Sequence, residues 1–301
     1  MSGFEGFQKA DFEVFAESCW ASHAYNRQRL EVKLKLQALG KEVLERAGDL
    51  PSLEAALTDE RPSVFNRHQV RNLRWFAVRP ADERRFLRQV LPDPAPGLAL
   101  AAEPEELGRH LQFLMQIESG FFVSGLCWPQ AARVDRENMR RLLEQAEPAA
   151  RLRQELEGLS PAGWWAGGEQ ISAEQVVEVL SASGAPDLLL AQRIDSGRVC
   201  QAGAALGEEL SRFFSRLALV YRRFGWSRQN DRLGLGQKHK QQLAQAGGEL
   251  RSGERVRIIS GLAAGKTAVI EEVDKRGTVR VRLGNISLSL KASDVERHEA
   301  H

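Results

Sequence analysis

The sequence is poor in cysteine and in long apolar runs, and both absences restrict the class of protein. Its three cysteines, Cys19, Cys127 and Cys200, are too few and too far apart for a disulfide framework. We therefore expect a reducing, cytoplasmic setting. No apolar run approaches the ~18 residues that cross a bilayer, so we expect no membrane partner. The first residues lack a basic stretch followed by an apolar run, so we also expect no secretory signal.

Enough apolar material is present for a packed core. The chain has 301 residues, of which 43% are hydrophobic and 27% are charged. This composition excludes wholesale disorder and fibrous repeats. At ~100–200 residues per domain, the length predicts one to three domains.

The net charge is only +2, but the basic residues are concentrated in two stretches. Residues 61–88 carry 8 basic and 2 acidic side chains, and residues 212–248 carry 8 and 1. Residues 1–60 and 89–211 are acidic. Such segregation favours a polyanionic partner if the two basic stretches share one face. The alternative is that these arginines neutralise the protein's own carboxylates.

Residues 1–230 mix helical and strand patterns, which predicts an α+β domain with an antiparallel hairpin. Apolar residues spaced three or four apart predict helices over 27–47 and 203–223. Two aromatic-rich runs, 110–118 and 121–128, are separated only by Ser119-Gly120. A two-residue link that contains glycine favours a tight hairpin turn.

Other segments of this domain give weaker patterns. They predict a strand over 74–79, a loop over 92–104 and a buried strand over 187–194. They also predict two helices. One is capped by Asp135 and runs to about 145, and the other covers 173–182 with a capping box of Ser172 and Gln175. Trp164-Trp165 lie between glycines on a predicted loop and are candidate partner contacts. The alternative is that both tryptophans fill the core beneath the loop.

After a polar linker over 231–249 the pattern changes. Residues 250–301 contain no Phe, Trp or Tyr and show no helical period. Short β-branched runs alternate with charges, and glycines fall between them. These runs are 256–259, 268–273, 278–283, 286–290 and 294–296. Four or five short strands in a segment of this length predict a small all-β, SH3-like barrel.

The segment from Gly253 to Val273, GERVRIISGLAAGKTAVIEEV, resembles a KOW motif. That motif occurs in bacterial NusG-type transcription elongation factors and in several ribosomal proteins. The turn at Gly277 and the closing residues 294–296 resemble the rest of the NusG-type C-terminal barrel. The resemblance covers residues 250–298 and implies binding to nucleic acid or to a protein of the transcription or translation machinery.

The alternation of the barrel strands assigns its faces. Four residues are predicted to point inward: Val256, Ile258, Val269 and Val273. The candidate phosphate contacts are Arg255, Arg257, Lys266, Arg280 and Arg282. Without aromatic residues the barrel has no platform on which bases can stack, so we expect contacts to the backbone. Leu262 stands where NusG-type loops often carry an aromatic residue and is a candidate partner contact. The alternative is a barrel that only packs on the first domain.

Arginines of the first domain are candidates for the walls of a nucleic-acid groove. They are Arg67, Arg71 and Arg74 in the first stretch, and Arg223, Arg228 and Arg232 in the second. The first three share one helical face if a helix covers 66–74. The second three lie in a segment that mixes arginine with aromatic residues. The alternative for that segment is a helix that ends at Gly225, with Trp226 folded back.

These features favour a non-enzymatic protein, without a cofactor or metal, that binds RNA or DNA or a transcription or translation protein. The chain has no Gly-x-Ser-x-Gly nucleophile elbow. Two alternatives stay open. One is an adaptor whose barrel recruits a protein partner. The other is an enzyme that processes nucleic acid through scattered carboxylates of the first domain.

Overall fold

The computed structural model describes residues 3–48, 50, 53–91, 108–145, 159, 162–182, 184–239, 241, 250–258, 263, 265–274 and 278–297. The chain divides into two units, Met1–Leu233 and Gly234–His301. Each unit has its own cluster of buried apolar side chains. Within the predicted linker, residues 235–239 are helical, whereas 242–249 lie outside the described residues.

A single antiparallel sheet runs through the first unit. Its strands are β1 (Glu54–Leu57), β2 (Asn72–Val78), β3 (Gln112–Glu118), β4 (Phe121–Trp128), β5 (Gly163–Ala166), β6 (Glu169–Ile171) and β7 (Leu188–Asp195). They are ordered β1-β2-β3-β4-β7-β5-β6, and every neighbouring pair is antiparallel. The predicted hairpin is confirmed as β3 and β4. Gly120 takes φ of +79° in the turn, a conformation that glycine adopts without steric cost.

Seven described helices accompany this sheet. They are α1 (Lys9–Glu13), α2 (Asn26–Arg46), α3 (Ala81–Val90), α4 (Arg133–Leu143), α5 (Gln175–Ser181), α6 (Ser196–Ala202) and α7 (Leu206–Phe224). The two long helices predicted from apolar spacing are α2 and α7, and both are confirmed. Their apolar faces, such as Leu36 and Leu39 on α2 and Leu210 and Leu217 on α7, are fully buried in the core beside the sheet. The unit is therefore mixed α and β, as predicted.

Asp135 does not cap α4 as the sequence predicted. The helix begins two residues earlier, at Arg133. The Asp135 carboxylate accepts hydrogen bonds from the backbone N–H groups of Leu111 and Trp226, both 2.7 Å away and both outside the helix. A capping prediction assumes that the side chain serves its own helix. Here segments that are distant in sequence donate hydrogen bonds to both of its carboxylate oxygens.

The two adjacent tryptophans lie on β5, so their predicted placement on a loop is wrong. Only Gly167 and Gly168 form the turn to β6, with φ of +60° and +91°. The reciprocal hydrogen bonds of the predicted capping box are present, since Ser172 N–H donates to Gln175 Oε1 at 2.9 Å and Gln175 N–H donates to Ser172 Oγ at 3.4 Å, but the helix begins only at Gln175, two residues after its predicted start. The predicted loop over 92–104 lies outside the described residues.

The second unit is an antiparallel sheet of five short strands. They are β8 (Arg255–Ile258), β9 (Thr267–Val273), β10 (Thr278–Leu283), β11 (Ile286–Lys291) and β12 (Val295–Arg297). Their order is β11-β10-β9-β8-β12, so the last strand returns to pair with the first. Each predicted strand is present within one residue at either end. The pairings among the described residues form an open sheet, and closure into an SH3-like barrel stays a prediction.

The inward face of this sheet differs from the prediction at one position. Val256 and Ile258 are fully buried, as expected. Val269 does not point inward, because it pairs with exposed Arg255, while Val256 pairs with buried Ala268. Val273 does pack on the core. An extra residue in β9 opposite β10 shifts the alternation between Ala268 and Val273 and returns Val273 to the inner face.

Candidate functional site

The first group of candidate arginines is not on a helix. Residues 64–66 form a 3-10 turn, Arg67 takes a left-handed φ of +55°, and β2 begins at Asn72. The prediction of one helical face over 66–74 is therefore wrong. The reason is that β2 pairs with β3 along its whole length, which extends the backbone where the charge spacing indicated a helix.

Side chains of this group contact their own protein. Arg71 donates from Nε and Nη2 to Gln69 Oε1 at 3.0 and 2.7 Å, and its guanidinium lies 4.5 Å from the ring centroid of Trp20. Arg74 lies within β2 and donates from Nε to Gln116 Oε1 at 2.6 Å. Arg67, in the turn, is exposed. The three arginines thus occupy three different local structures.

The three arginines of the second group also lie in different local surroundings. The Arg228 guanidinium lies 5.3 Å from the ring centroid of Phe86. Arg232 contributes its backbone, since its N–H donates to Asn138 Oδ1 at 3.1 Å. Trp226 is buried and stacks on Phe86 with ring centroids 5.5 Å apart. The helix therefore ends before Gly225 with Trp226 folded back, which confirms the alternative reading of this segment.

Arg223 belongs instead to a row of arginines on the outer side of α7. The row consists of exposed Arg212, Arg216 and Arg222 with half-buried Arg223, and exposed Leu219 lies among them. It extends over ~16 Å of helix, opposite the face that fills the core. Arg212 pairs with Glu208 at 3.4 Å, whereas Arg216 has no ion-pair partner in the described part of the chain. The basic stretch in the sequence thus becomes one helix face, a grouping that the apolar period of α7 already implied.

The candidate residues of the second unit are exposed, as expected from the alternation. They are Arg255, Arg257, Lys266, Arg280 and Arg282. The register pairs Val269 with Arg255 on one side and with Arg282 on the other, so the two arginines lie in one cross-strand row. Leu262 lies outside the described residues.

Two acidic residues share this outward face. Arg280 lies 3.7 Å from Glu272, and Arg282 lies 3.7 Å from Glu271. Arg280, Glu272 and Arg282 are substantially exposed to solvent, and Glu271 is half-buried. Exposed pairs of this kind contribute little free energy, so they do not hold the arginines away from another anion.

Trp164 and Trp165 point to opposite faces of the seven-stranded sheet, because side chains alternate along a strand. Trp164 is buried, and its ring centroid lies 5.6 Å from that of Trp128 in the core. Trp165 is half-buried and lines a cavity. Trp164 therefore fills the core, as the alternative proposed. Only Trp165 remains a candidate for contact with a partner.

The cavity has a volume of about 520 Å³ and lies on the sheet face opposite the helix-packed core. Its described lining is Arg74, Leu114, Gln116, Glu118, Val123, Cys127, Trp165, Gly167, Gly168, Asp187, Leu189, Ala191 and Arg193. These residues come from β2, β3, β4, β5 and β7, from the β5–β6 turn and from the residue that precedes β7, Asp187. Arg74 and Trp165 were singled out separately from the sequence, but only strand order and register bring the whole set together.

Polar side chains along one edge of the cavity form a chain of hydrogen bonds. Arg74 Nε donates to Gln116 Oε1, and Gln116 Nε2 donates to Glu118 Oε2 at 2.7 Å. Arg193 Nη2 donates to Glu118 Oε1 at 3.2 Å, and its guanidinium lies 3.8 Å from the ring centroid of Phe121. These hydrogen bonds therefore fix four side chains on the cavity edge, those of Arg74, Gln116, Glu118 and Arg193.

A second polar cluster, which the sequence analysis missed, lies deep in the first unit. Arg79 and Asp135 are buried and joined by a hydrogen-bonded ion pair between Nη2 and Oδ1. Arg79 Nη1 also donates to the carbonyl oxygen of Trp226 at 2.7 Å. Nearby His110 is buried, and burial together with the charge of Arg79 lowers its pKa to about 4. This cluster joins segments far apart in sequence and is inaccessible to a ligand.

No protein-family model, curated protein or solved structure matches the chain. No helix in the described ranges combines the length and the apolar character needed to cross a membrane. In the same part of the chain, no three His, Cys, Asp or Glu side chains are grouped as metal ligands. The arginine rows and the cavity are the candidate binding surfaces of the described residues.

Proposed function

We propose that this protein binds the phosphate backbone of nucleic acid without chemistry on it, and that its second unit is a KOW-like, SH3-like barrel that makes the contact. The observation that supports this proposal most directly is the set of residues on the outward face of that unit's sheet. Its exposed basic positions on β8 and β10 are Arg255, Arg257, Arg280 and Arg282. The alternating residues between them fill the core, so the arginines are directed to solvent by the same pattern that folds the sheet.

The spacing of these arginines suits a polyanion. Residues two apart on a strand are ~6.7 Å apart, and strands separated by one strand are ~10 Å apart. An array of this size meets more than one phosphate at a time. The described residues of the unit include no aromatic side chain, so the contact is to the backbone and not to stacked bases.

The arginine row of α7 supports the same function from the first unit. Arg216 and Arg222 are exposed, and the only described contact of the Arg222 side chain is to a carbonyl of its own helix. The resemblance to NusG-type and ribosomal KOW proteins supports a cytoplasmic role beside RNA or DNA in transcription or translation. The return of β12 to pair with β8 supports barrel closure.

The test is the salt dependence of binding by the full chain. Fluorescence anisotropy with a labelled duplex DNA and a labelled single-stranded RNA measures affinity from low to moderate salt. Log affinity is expected to fall with log salt by ~0.9 for each duplex phosphate contacted. Arg255→Ser with Arg257→Ser, or Arg216→Ser with Arg222→Ser, should each flatten the slope by roughly one to two units.

A matched control removes the same charge elsewhere. Arg27→Ser with Lys41→Ser changes two exposed basic residues on α2, each paired with a glutamate four residues on. This variant should keep the wild-type slope. No salt-dependent binding to either nucleic acid would overturn the proposal. Equal flattening by the control would show that only net charge matters and that no surface is specific.

A further inference from the structure

The strands beneath the cavity on the seven-stranded sheet carry small residues, which leave space above the backbone. Gly125 on β4 pairs with Ala191 on β7, and Ala191 pairs with Gly163 on β5. At Gly125 the backbone of the neighbouring strand excludes any side chain. A Cβ there would meet the carbonyl oxygen of Leu190 and lie 2.6 Å from the Cα of Ala191. The backbone of β7 therefore leaves no room for a side chain at position 125.

One guanidinium at the edge of this cavity keeps unused donors. Glu118 has both carboxylate oxygens engaged, one by Gln116 and one by Arg193. Arg74 uses only Nε, toward Gln116. In the described ranges, no acceptor is found for its Nη1 or Nη2. Those two nitrogens carry the planar pair of donors that binds a carboxylate or phosphate through two parallel hydrogen bonds.

The other charges of the lining are matched. Glu118 faces Arg193 across 3.2 Å. Asp187 accepts a hydrogen bond from Gln130 N–H at 2.9 Å, and its charge opposes the lowering of the Arg136 pKa by burial. Each acid in the lining therefore has a cationic neighbour. Arg74 is the positive charge that remains, and it favours one anionic group on a ligand.

The opposite wall of the cavity is aromatic and apolar. Trp165 lines it from β5, together with Leu189 and Cys127. Burial raises the pKa of the Cys127 thiol to about 12, so this side chain is a neutral wall and not a nucleophile at pH 7. A half-buried indole offers a planar face on which a second ring stacks. The volume lies within the ~300–1,000 Å³ typical of small-molecule sites.

We propose that this cavity binds a small molecule that combines an aromatic ring system, stacked on Trp165, with a single oxyanion held by Arg74. The strands that carry these two residues, β2 and β5, are four steps apart in the sheet, or ~19 Å. A ligand that touches both side chains is therefore at least two rings long. The site shares no residue with the arginine rows of the proposed nucleic-acid contact, so either proposal can fail without the other.

The test uses two fluorescent probes that differ by one charge. 8-Anilinonaphthalene-1-sulfonate is an aromatic monoanion, and N-phenyl-1-naphthylamine is its neutral counterpart. With the full chain we expect one sulfonate probe per chain, bound about tenfold or more tightly than the neutral probe. Arg74→Gln should abolish this preference by weakening only the anionic probe, and Arg74→Lys, which keeps the charge but loses the planar pair of donors, should keep only part of it. Trp165→Ala should weaken both probes.

Competition then identifies the source of the ligand. Adenosine 5′-monophosphate represents nucleotides, and 1-naphthoate represents aromatic carboxylates. Displacement of the anionic probe by either compound supports the site and names the class. If neither compound displaces it at millimolar concentration, the proposal is overturned.

Arg71→Gln is the matched control, because Arg71 is an exposed arginine three residues from Arg74 that contacts Trp20 and not the cavity. It should leave both affinities unchanged. Thermal unfolding of every variant verifies that it is folded. Should Arg74→Gln fail to fold, the Arg74→Lys and Trp165→Ala variants still decide the outcome. Wild-type affinity for the anionic probe in folded Arg74→Gln, or in Trp165→Ala, overturns the proposal.

Discussion

Asp135 joins three parts of the first unit through one carboxylate. Its Oδ1 accepts from Arg79 and from the N–H of Trp226, and its Oδ2 accepts from the N–H of Leu111. Both charged side chains are removed from water, with Arg79 2% exposed and Asp135 fully buried. A buried carboxylate and guanidinium are tolerated only as a pair, because either one alone keeps its full desolvation cost.

Replacing Asp135 by asparagine is therefore expected to lower the free energy of unfolding by about 3–5 kcal/mol. Urea unfolding followed by tryptophan fluorescence measures the change. The double variant with Arg79→Met should recover part of the loss, since no charge then stays buried. Glu144→Gln at the end of the same helix, at an exposed carboxylate paired with Arg140, should cost less than about 1 kcal/mol. Similar losses for Asp135→Asn and Glu144→Gln would contradict this reading.

His110 makes stability depend on pH. Its pKa is lowered to about 4 in the folded protein, first by burial and then by Arg79, against ~6.5 in an unfolded chain. Between these values only the unfolded state binds the proton, so stability falls as pH falls from 6.5 toward 4. Going from pH 7 to pH 5 should cost the wild type about 2 kcal/mol more than His110→Gln. Urea unfolding at both pH values checks this, and equal losses in the two proteins would show that His110 is protonated when folded.

At the scale of elements, two glycines within helices show that packing decides whether a change to alanine raises or lowers the free energy of unfolding. Gly40 in α2 faces the indole of Trp75, and an added Cβ would overlap that ring. Gly207 in α7 faces the carboxylate of Glu42, the far end of a flexible side chain. Alanine favours a helix by ~1 kcal/mol over glycine, so the result depends on whether the neighbour can move. Trp75 is only 1% exposed and is held in the core.

Gly40→Ala is expected to lower the free energy of unfolding by roughly 1–3 kcal/mol, because overlap with a fixed indole outweighs the gain in helix propensity. Gly207→Ala, the matched control, should be neutral or stabilising. Thermal unfolding of the two variants beside the wild type measures both effects. A stabilised Gly40→Ala protein would mean that α2 can move away from β2 at little cost.

At the scale of the whole molecule, the two units are distinguished by their chromophores. All six tryptophans of the chain lie in Met1–Leu233, whereas Gly234–His301 contains none. The core of the second unit is formed by aliphatic residues of its own strands, among them Val256 and Val281. Tryptophan fluorescence therefore follows the unfolding of the first unit alone, while amide NMR signals follow both.

Val256→Asp is expected to unfold the second unit and to leave the tryptophan-detected transition of the first unit in place. An unpaired charge in a core costs several kcal/mol, and a unit of this size is marginally stable. Collapse of the amide signals from the second unit measures the loss. Thr267→Asp, an exposed position on β9, is the matched control and should leave both units folded. If Val256→Asp lowers both transitions equally, the chain unfolds as one cooperative unit.

Patterns that depend on neighbours in sequence were sufficient for some elements of this protein. The glycine link at 119–120 predicts the β3–β4 hairpin, the spacing of apolar residues predicts α7, and the β-branched alternation predicts the strands after 250. In each case the backbone geometry and the buried face follow from residues within one or two turns, or within one strand. The same holds for the arginine row of α7, because a helix face repeats every three or four residues.

Strand order and register were needed for everything that lies across the sheet. Arg74 meets Gln116, 42 positions away, and Arg79 meets Asp135, 56 positions away. Trp164 and Trp165 are adjacent in sequence, yet one is in the core and the other lines the cavity. A side chain on a strand points to one face or the other, and a shift of one residue reverses that choice. No local pattern contains this information, because it is fixed by the pairing of β2, β3, β4, β7 and β5.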